Sequence, residues 1–274
     1  MEKCRICGQT GEIVKLNRTV NGYSLMQCSV CNTVYASYKG EEQDRNLYDR
    51  LFEGEIYKQH RQKYEQLLHG KKPYRPYETW LLRKTEKLCH GRRMVEIGGG
   101  IGEFGLIARS RGWTYTDYDI SEVAVQFARS LKLEAHVIKG KIPDIPEKSC
   151  DLIVMWEVIE HIWNVAEYLK VIRKALRPNG CLLLSTPNWF RTSYQKSNNW
   201  GASGPPIHVN FFSAESLKKT LLLAGFGSVR IHKRHLWRPT SFSVPSIARS
   251  IRLLFGIEHS PTLYAWAFVN PNAS

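Results

Sequence analysis

The sequence contains no apolar run approaching the roughly 20 residues that span a lipid bilayer. The first residues, MEKCRICG, also lack the apolar stretch of a secretory signal peptide, so we expect a cytoplasmic protein. Acidic residues are scarce: 25 stand against 39 lysines and arginines, and the net charge is +14. This imbalance favours anionic partners, such as nucleic acid, a phosphorylated metabolite or an anionic membrane.

Cysteine is also uncommon, with seven residues in 274, but four of the seven form two C-x-x-C pairs. These four are Cys4, Cys7, Cys28 and Cys31. Two residues within each pair and twenty between the pairs suit four thiolates around one tetrahedral zinc ion. EIVKL and YSLMQC are predicted strands joined by a hairpin turn at Asn21-Gly22. We therefore predict a zinc ribbon with structural Zn²⁺ over residues 1–40; two disulfides are the alternative, which a reducing compartment disfavours.

From Arg93 onward, apolar segments of strand length alternate with segments of helix length. The strand candidates are MVEIG, WTYTDYD, AHVIK, CDLIVMW and GCLLLST. Such alternation predicts βαβ units and a parallel sheet, in which ligands bind at the carboxyl ends of the strands. We therefore predict an α/β domain over residues 93–274, preceded by a helical connector or cap over 41–92.

A glycine-rich loop, within MVEIGGGIGEFG, follows the first of these strands and opens the first helix. Its glycines are Gly98, Gly99, Gly100 and Gly102. Similar loops occur in dinucleotide-binding enzymes, so the glycines alone do not identify the ligand. Glu96 precedes the first glycine, and a carboxylate beside the loop would repel a pyrophosphate. It would suit a cationic ligand that carries an amino group and hydroxyls.

E-I-G-G-G-I-G resembles the E/D-x-G-x-G-x-G loop of class I S-adenosylmethionine-dependent methyltransferases. TDYDIS resembles the second motif of that family, which implies that Asp119 hydrogen-bonds the ribose hydroxyls. CDLIVMWEVIEHI resembles the fourth strand and its E-x-x-E-H exit, as in the O-methyltransferases of ubiquinone biosynthesis. STPN resembles the end of the fifth strand in many members of the same family, and HVNFFSAESLKKTLLLAGF resembles the family's H-x-x-F-F-S segment and the helix that follows it. The resemblance covers about 93–269 and implies a Rossmann-like, seven-stranded sheet, parallel except for a final antiparallel hairpin strand.

The resemblance also implies that the chain binds S-adenosylmethionine. The residues it assigns to that cofactor are Glu96, Gly98, Gly99, Gly100, Gly102, Asp119, Ile120, Trp156 and Glu157. One departure concerns the adenine contact, because Lys141 stands about where many members place an acid. Asp144 or backbone groups are the alternatives for that contact.

The WEVIEH stretch supplies the catalytic candidates, at the carboxyl end of the fourth strand. His161 is the best candidate for a base near neutral pH, and His208 is the second. Glu157 and Glu160 are expected to orient His161 or to join it in holding a divalent ion. The alternative is that Glu160 and His161 cap the following helix or hydrogen-bond the cofactor loop.

The predicted function is methyl transfer, with O-methylation of a small molecule, sugar or glycan precursor as the first hypothesis. The alternative is an RNA methyltransferase whose zinc ribbon and basic segment KKPYRPYETW hold RNA. An N/D-P-P-Y/F tetrapeptide, frequent in N-methylating enzymes, is absent after the fourth strand. An amphipathic insertion near 240–260, centred on 243–256, either covers the core or contacts an anionic membrane.

Overall fold

The computed structural model of the protein describes residues 1–37, 58–191, 194–195, 197–233 and 260–270. Its first strands are β1 (Glu2–Lys3), β2 (Thr10–Gly11), β3 (Ile13–Val20), β4 (Tyr23–Cys28) and β5 (Val34–Ala36). β1 pairs with β2, while β3, β4 and β5 pair in sequence, all antiparallel. Asn21 and Gly22 take the positive φ values of 48° and 81° that a tight two-residue hairpin turn requires. The strands and the turn expected of the ribbon are therefore present.

Two helices of the predicted connector precede the large sheet. They are α1 (Lys58–Leu68) and α2 (Pro76–Thr85). Pro76 is the first residue of α2. Proline fits there because a backbone N–H in the first turn would have no acceptor within the helix. Leu81 and Leu82 on α2 are completely buried, and Trp266 Nε1 donates to Thr85 Oγ1 at 2.8 Å. This helix is thereby fixed against the sheet rather than lying free as a linker.

The described residues form one large sheet of seven strands. The strands are β6 (Arg93–Ile97), β7 (Thr114–Asp119), β8 (Glu134–Val137), β9 (Cys150–Trp156), β10 (Leu176–Pro187), β12 (Ser228–Lys233) and β13 (Thr262–Phe268). Their order is β12-β13-β10-β9-β6-β7-β8, with β13 antiparallel to both of its neighbours and the other pairings parallel. The predicted Rossmann-like sheet with a final antiparallel strand is confirmed.

Helices cover both faces of this sheet. Besides α2, they are α3 (Glu103–Ser110), α4 (Glu122–Ser130), α5 (Val165–Ala175) and α6 (Ala214–Leu223). Ile153 and Met155 of β9 share a buried cluster with α5 and α6, whereas Leu152 and Val154 share one with α2, α3 and α4. Because both faces of the sheet are covered, a parallel strand such as CDLIVMW is apolar almost throughout, and apolar and polar residues do not alternate along it.

The ribbon is joined to the large domain by backbone pairing and by a common core. The strand β11 (Asn210–Phe211) pairs antiparallel with β5, with Asn210 opposite Tyr35, and completes a four-stranded sheet of order β11-β5-β4-β3. The four paired cysteines belong to the same buried cluster as β9 and β10. The boundaries at 1–40, 41–92 and 93–274 stay a prediction, but a strand from the third range completes the sheet of the first.

The amphipathic insertion predicted near 240–260 lies outside the described residues, apart from Ser260 at its margin. The part of the connector from 41 to 57 lies outside them as well. Across the ranges that are described, none of the helices combines the length and hydropathy needed to cross a bilayer.

Candidate active site

A cavity of about 640 Å³ lies at the carboxyl ends of the sheet strands, beside the neighbouring strands β6 and β9. The chain order reverses there, which is the usual ligand position in open α/β sheets, and the volume is typical of a small-molecule site. One end of the cavity is formed by the glycine loop after β6 and by the end of β7. The other end is formed by the segment after β9 and by the loop that precedes β11.

The glycine loop needs its glycines for two different reasons. Gly98, Gly100 and Gly102 have φ values of 78°, 57° and 75°, a left-handed backbone that side chains disfavour. Gly99 does not have such a φ, but a Cβ there would approach the Asp117 carboxylate to 2.6 Å. A Cβ at Gly98 would also lie 2.7 Å from the Val158 side chain. Part of the requirement for glycine therefore comes from protein packed behind the loop.

Two aspartates at the end of β7 hold this loop. Gly99 N donates to Asp117 Oδ1 at 3.0 Å, and Gly100 N donates to Asp119 Oδ2 at 3.1 Å. Asp119 also accepts from Ser121 N at 2.8 Å, and it lines the cavity. The Asp119 carboxylate is therefore held in place and is accessible from the cavity, as the predicted ribose contact requires.

Asp117 is a residue that the sequence reasoning missed. It is completely buried, and burial together with the nearby carboxyl groups of Asp119 and Glu96 raises its pKa well above the ordinary value. Asp117 thus acts beneath the loop rather than in the cavity, and its burial favours the protonated form of the carboxyl group. Its signal was present in TDYD, because residues two apart in a strand point to the same face.

Glu96 also lies beneath the loop. Its side chain is 1% exposed, accepts a hydrogen bond from the Tyr115 hydroxyl and is not among the residues that line the cavity. Burial raises the pKa of Glu96 to about 7. The carboxylate thus stands behind the glycines rather than at the mouth of the loop, and it would act on a ligand through its charge.

The side walls next to the glycine loop are largely apolar. Ile120, Ile138 and Trp156 line the cavity, and the Trp156 ring packs edge-on against Phe104 at 5.2 Å. The guanidinium of Arg75, from the basic aromatic segment before α2, lies 5.8 Å from the Trp156 ring centroid. These residues provide an apolar surface, with the Arg75 guanidinium over the Trp156 ring.

The region where the family places an adenine contact has an unusual composition here. Gly140 and Lys141 line the cavity together with Ile138, whereas Asp144 does not. The structure therefore supplies backbone groups and a lysine at that wall, and it leaves Asp144 outside.

Glu157 stands at the far end of the cavity in a conformation rare for a residue with a side chain. Its φ is 56°, and non-glycine residues in this region frequently occur at functional sites. Its N–H donates to Ser185 Oγ at 3.1 Å, and Ser185 Oγ donates to Glu157 Oε1 at 2.7 Å. The neighbouring strand β10 thereby fixes an acid that is open to the cavity.

Glu160 lies behind this wall. Its side chain is completely buried, and Thr186 Oγ1 donates to Glu160 Oε2 at 2.9 Å. Oε1 is buried without a hydrogen-bond partner among the described residues and lies 4.0 Å from His161 Nε2. Burial, reinforced by Glu157, raises the pKa of Glu160 well above its ordinary value. It does not cap α5, because the side chain at the N-terminus of that helix is Asn164.

His161 and His208 meet at the other end of the cavity, although 46 residues lie between them. The ring centroids are 4.7 Å apart and the rings are nearly perpendicular. His161 Nδ1 is 2.9 Å from the carbonyl oxygen of Ile207, and His208 Nδ1 is 3.2 Å from the Tyr194 hydroxyl. Burial lowers the pKa of both rings, that of His208 to about 3. Both imidazoles are therefore neutral at pH 7.

Two groups of side chains in the described chain could hold a metal ion. In each group the ligand atoms lie within 4.8 Å of one another. One group consists of the predicted ribbon ligands, namely Cys4, Cys7, Cys28 and Cys31. The other consists of His161 and His208, which line the cavity, and of Glu160 behind them.

Comparison with known proteins is decisive for the family. Residues 61–230 match the sequence profile of a family described as methyltransferase domain. The chain belongs to the methyltransferase domain family. The match does not reach the four paired cysteines, so the ribbon lies outside it.

Curated relatives carry names consistent with this family. A probable S-adenosylmethionine-dependent methyltransferase of Mycolicibacterium smegmatis is 34% identical over 157 residues, which are 56% of this chain and 58% of that protein. The ubiquinone biosynthesis O-methyltransferase of Rickettsia akari is 26% identical over 106 residues, 37% of this chain and 42% of that protein. The chain spans about half the length of the curated relatives it matches.

A solved structure shares the fold of this methyltransferase domain. Phosphoethanolamine N-methyltransferase 2 of Haemonchus contortus, in complex with S-adenosyl-L-methionine, superposes with a TM-score of 0.57 at 16% identity. The superposition covers 87% of this chain and 62% of that chain. At this identity the likeness shows the fold alone.

Within the methyltransferase domain, most of the predicted site residues meet at one cavity. Those that line it are Gly98, Gly99, Gly100, Asp119, Ile120, Trp156, Glu157, His161 and His208. Glu96, Gly102 and Glu160 lie behind the lining instead. His60, Lys63 and Arg75 line it without having been named as site residues, since they come from the connector that precedes the recognised motifs.

Proposed function

We propose that this protein transfers a methyl group from S-adenosylmethionine to a hydroxyl oxygen of a small molecule, sugar or glycan precursor. One observation carries the proposal: a single cavity has the glycine loop with Asp119 at one end and the His161–His208 pair at the other. The cofactor, when bound, supplies an electrophilic methyl group on a sulfonium. The protein has to bind and align two molecules and to accept one proton.

The first end fits the cofactor in shape and in chemistry. Asp119 offers a carboxylate that can accept hydrogen bonds from two adjacent ribose hydroxyls. The apolar surface of Ile120, Ile138 and Trp156 suits a purine, and three glycines of the adjacent loop, Gly98, Gly99 and Gly100, present only backbone to a ligand. Glu96 has a pKa of about 7, so a cationic group nearby would favour its charged form.

The second end suits proton removal from an acceptor hydroxyl. His161 is neutral at pH 7 because burial lowers its pKa, and a neutral imidazole can accept a proton. His208 has a pKa of about 3 and is the weaker base. Its contact with His161 instead limits how the His161 ring can turn. The buried Glu160 carboxyl group, which accepts a hydrogen bond from Thr186 Oγ1, supports the same wall.

The test of this function is an acceptor screen with isotopically labelled S-adenosylmethionine. The panel contains nucleotide sugars, glycans, phenols of the quinone type and RNA, and thermal shift with the donor and its demethylated product confirms cofactor binding first. We expect label in a hydroxyl-bearing small molecule or glycan. Binding of the donor without transfer to any hydroxyl would contradict the O-methylation proposal.

RNA remains the alternative acceptor, supported by the net charge of +14. RNA binding that weakens steeply as salt rises, with label in RNA, would favour it. A peripheral contact of 243–256 with anionic membrane remains a second partner proposal. Co-sedimentation with anionic vesicles at low salt tests that contact, and absence of binding would end it.

We also propose that the four paired cysteines hold a structural Zn²⁺. Cys7 Sγ and Cys28 Sγ are 3.9 Å apart, close to the roughly 3.8 Å expected between two ligands of a tetrahedral thiolate site and far from a disulfide bond. Ile6 N donates to Cys4 Sγ and Val30 N to Cys28 Sγ, each at 3.4 Å. Such N–H···S contacts support charged thiolate ligands. Elemental analysis should find one zinc per chain, lost on Cys28→Ser.

A chelation experiment tests whether activity needs a divalent ion bound by Glu160, His161 and His208. A carboxylate with two imidazoles is a donor set that zinc and other divalent ions accept. Activity that survives prolonged chelation, while the ribbon zinc is retained, would leave His161 acting as a base without metal. Activity lost on chelation and restored by a divalent ion would assign the cluster to metal binding.

A further inference from the structure

Arg5 connects the ribbon to the segments that carry both histidines of the acceptor end. It lies between Cys4 and Cys7, and Arg5 Nη1 donates to the carbonyl oxygen of Trp163. Its Nη2 donates to the carbonyl oxygens of Ala36 and Val209, each at 3.3 Å. One guanidinium therefore joins three separate stretches of backbone.

Two aromatic rings fix the direction of this guanidinium. Arg5 Cζ lies 4.7 Å from the ring centroid of Tyr35 and 4.7 Å from that of Trp163. Arginine suits this position because its planar group presents several donors in fixed directions while its faces stack on aromatic rings. A lysine would supply the charge without that geometry.

The carbonyl groups bound by Arg5 are close in sequence to the catalytic candidates. Trp163 is two residues after His161, and Val209 follows His208 directly. The same segments are also joined to each other, since Val209 N donates to the carbonyl oxygen of Glu160 at 2.8 Å. The Ile207 carbonyl oxygen lies 2.9 Å from His161 Nδ1. Arg5 thus binds the backbone of both segments close to the point where His161 and His208 contact each other.

The ribbon backbone strengthens the same junction. Ala36 N donates to the Val209 carbonyl oxygen at 2.9 Å, and Ala166 N donates to the Arg5 carbonyl oxygen at 3.1 Å. Asn210, which pairs with Tyr35, donates through Nδ2 to the carbonyl oxygens of Ile159 and Ile162. No comparable contact from Arg5 reaches the glycine loop in the described residues.

We infer that Arg5 is a positioning residue for the acceptor end: it sets the relative placement of His161 and His208 and so makes the ribbon part of the active site. Its catalytic consequence rests on the proposed function, whereas its structural consequence does not. The four-cysteine site would act through the same residue, because two of its ligands flank Arg5.

The experiment compares Arg5→Met and Arg5→Lys with the wild-type full-length chain. Arg111→Gln is the matched control, because Arg111 pairs with Glu86 and lies away from the cavity. Three quantities are measured: the ring ¹⁵N signals of the nine histidines, S-adenosylmethionine affinity by calorimetry, and turnover on the acceptor found by the screen.

For Arg5→Met we expect the His161 and His208 ring signals to move, with cofactor affinity within about twofold of wild type. Turnover at saturation should fall by roughly 10- to 100-fold, because displacement of about 1 Å can have that effect on rate. Arg5→Lys should show smaller changes in the same direction. Arg111→Gln should leave all three quantities as in the wild type.

Histidine signals and turnover that stay at wild-type values in folded Arg5→Met would overturn the inference. If Arg5→Met does not fold, Arg5→Lys decides by the same criteria. Equal changes in Arg111→Gln would also overturn it, since they would reflect general destabilisation. A wild-type protein that transfers no methyl group would refute the proposed function, yet displaced histidine signals in Arg5→Met would still support the positioning role.

Discussion

The two ends of the cavity are built in different ways. The end at which we propose that the cofactor binds is centred on one strand–loop–helix unit and the end of the adjacent strand, from Gly98 to Asp119. The acceptor end is assembled from segments around residues 5, 160, 194 and 208, which only the tertiary structure brings together. The difference teaches that a contiguous motif can identify a cofactor, whereas the acceptor depends on contacts between distant segments.

Burial disfavours the charged forms of titratable groups at both ends of the cavity. Around the glycine loop, Asp119 lines the cavity while Glu96 and Asp117 lie beneath the loop, and these two buried acids have raised pKa values. At the acceptor end, the two imidazoles have lowered pKa values. Burial explains both directions, because it disfavours whichever form is charged.

Replacement of His161 should have the largest effect and should separate the two ends. We expect His161→Ala to lower turnover by roughly 10²- to 10⁴-fold, the usual contribution of a positioned acid or base. Cofactor affinity should remain within about twofold, because His161 belongs to the acceptor end. Steady-state kinetics and calorimetry on one preparation check this. Unchanged turnover would remove His161 from the role of base.

Replacement of Asp119 should produce the opposite pattern. Asp119→Ala removes the hydrogen bonds to Gly100 N and Ser121 N together with the predicted ribose contact. Hydrogen bonds to a charged group contribute about 1.5–3 kcal/mol, so cofactor affinity should fall roughly 10- to 100-fold or more. Asp144→Asn is the control, since Asp144 does not line the cavity. Calorimetry that shows equal affinity for both variants would refute the ribose assignment.

A substitution in the glycine loop tests how closely Asp117 packs against Gly99. In Gly99→Ala the new Cβ would lie 2.6 Å from the Asp117 carboxylate, so the loop or Asp117 must move. We expect a loss of about 1–3 kcal/mol in the free energy of unfolding, as for other overpacked sites. Chemical denaturation measures it. Gly112→Ala is the comparison: Gly112, unlike Gly99, has a positive φ, and no atom lies near the added Cβ, so that variant shows the backbone cost alone.

The smallest effect concerns pH and stability. His208 has a folded-state pKa of about 3, below the ordinary 6.5, so the unfolded chain binds its proton first as pH falls. Below about pH 6.5 this residue therefore favours unfolding, by at most about 1.4 kcal/mol per pH unit. His208→Gln should make the loss of stability between pH 7 and pH 5 smaller than in wild type. Equal pH dependence in urea unfolding of both proteins would contradict the assignment.

Much of the fold could be predicted because its signals are local. The buried strand CDLIVMW and the hairpin turn at Asn21-Gly22 both follow from residue type and spacing. The motif around Gly98 predicts a cofactor site through its resemblance to a known family, and the structure places these glycines at the cavity. By contrast, Glu96 was expected beside the glycine loop, next to the ligand, but the structure buries it beneath the glycines, because side chains on its face of β6 are covered.

The amino-acid sequence by itself determined the order of strands and helices, the paired cysteines and the glycine loop, because periodicity and turn chemistry act between neighbours along the chain. The tertiary structure alone decided that β11 completes the ribbon sheet, that Arg5 binds beside both histidines, and that His161 and His208 face each other. Those contacts join segments dozens to hundreds of residues apart, and their geometry depends on how the whole core packs.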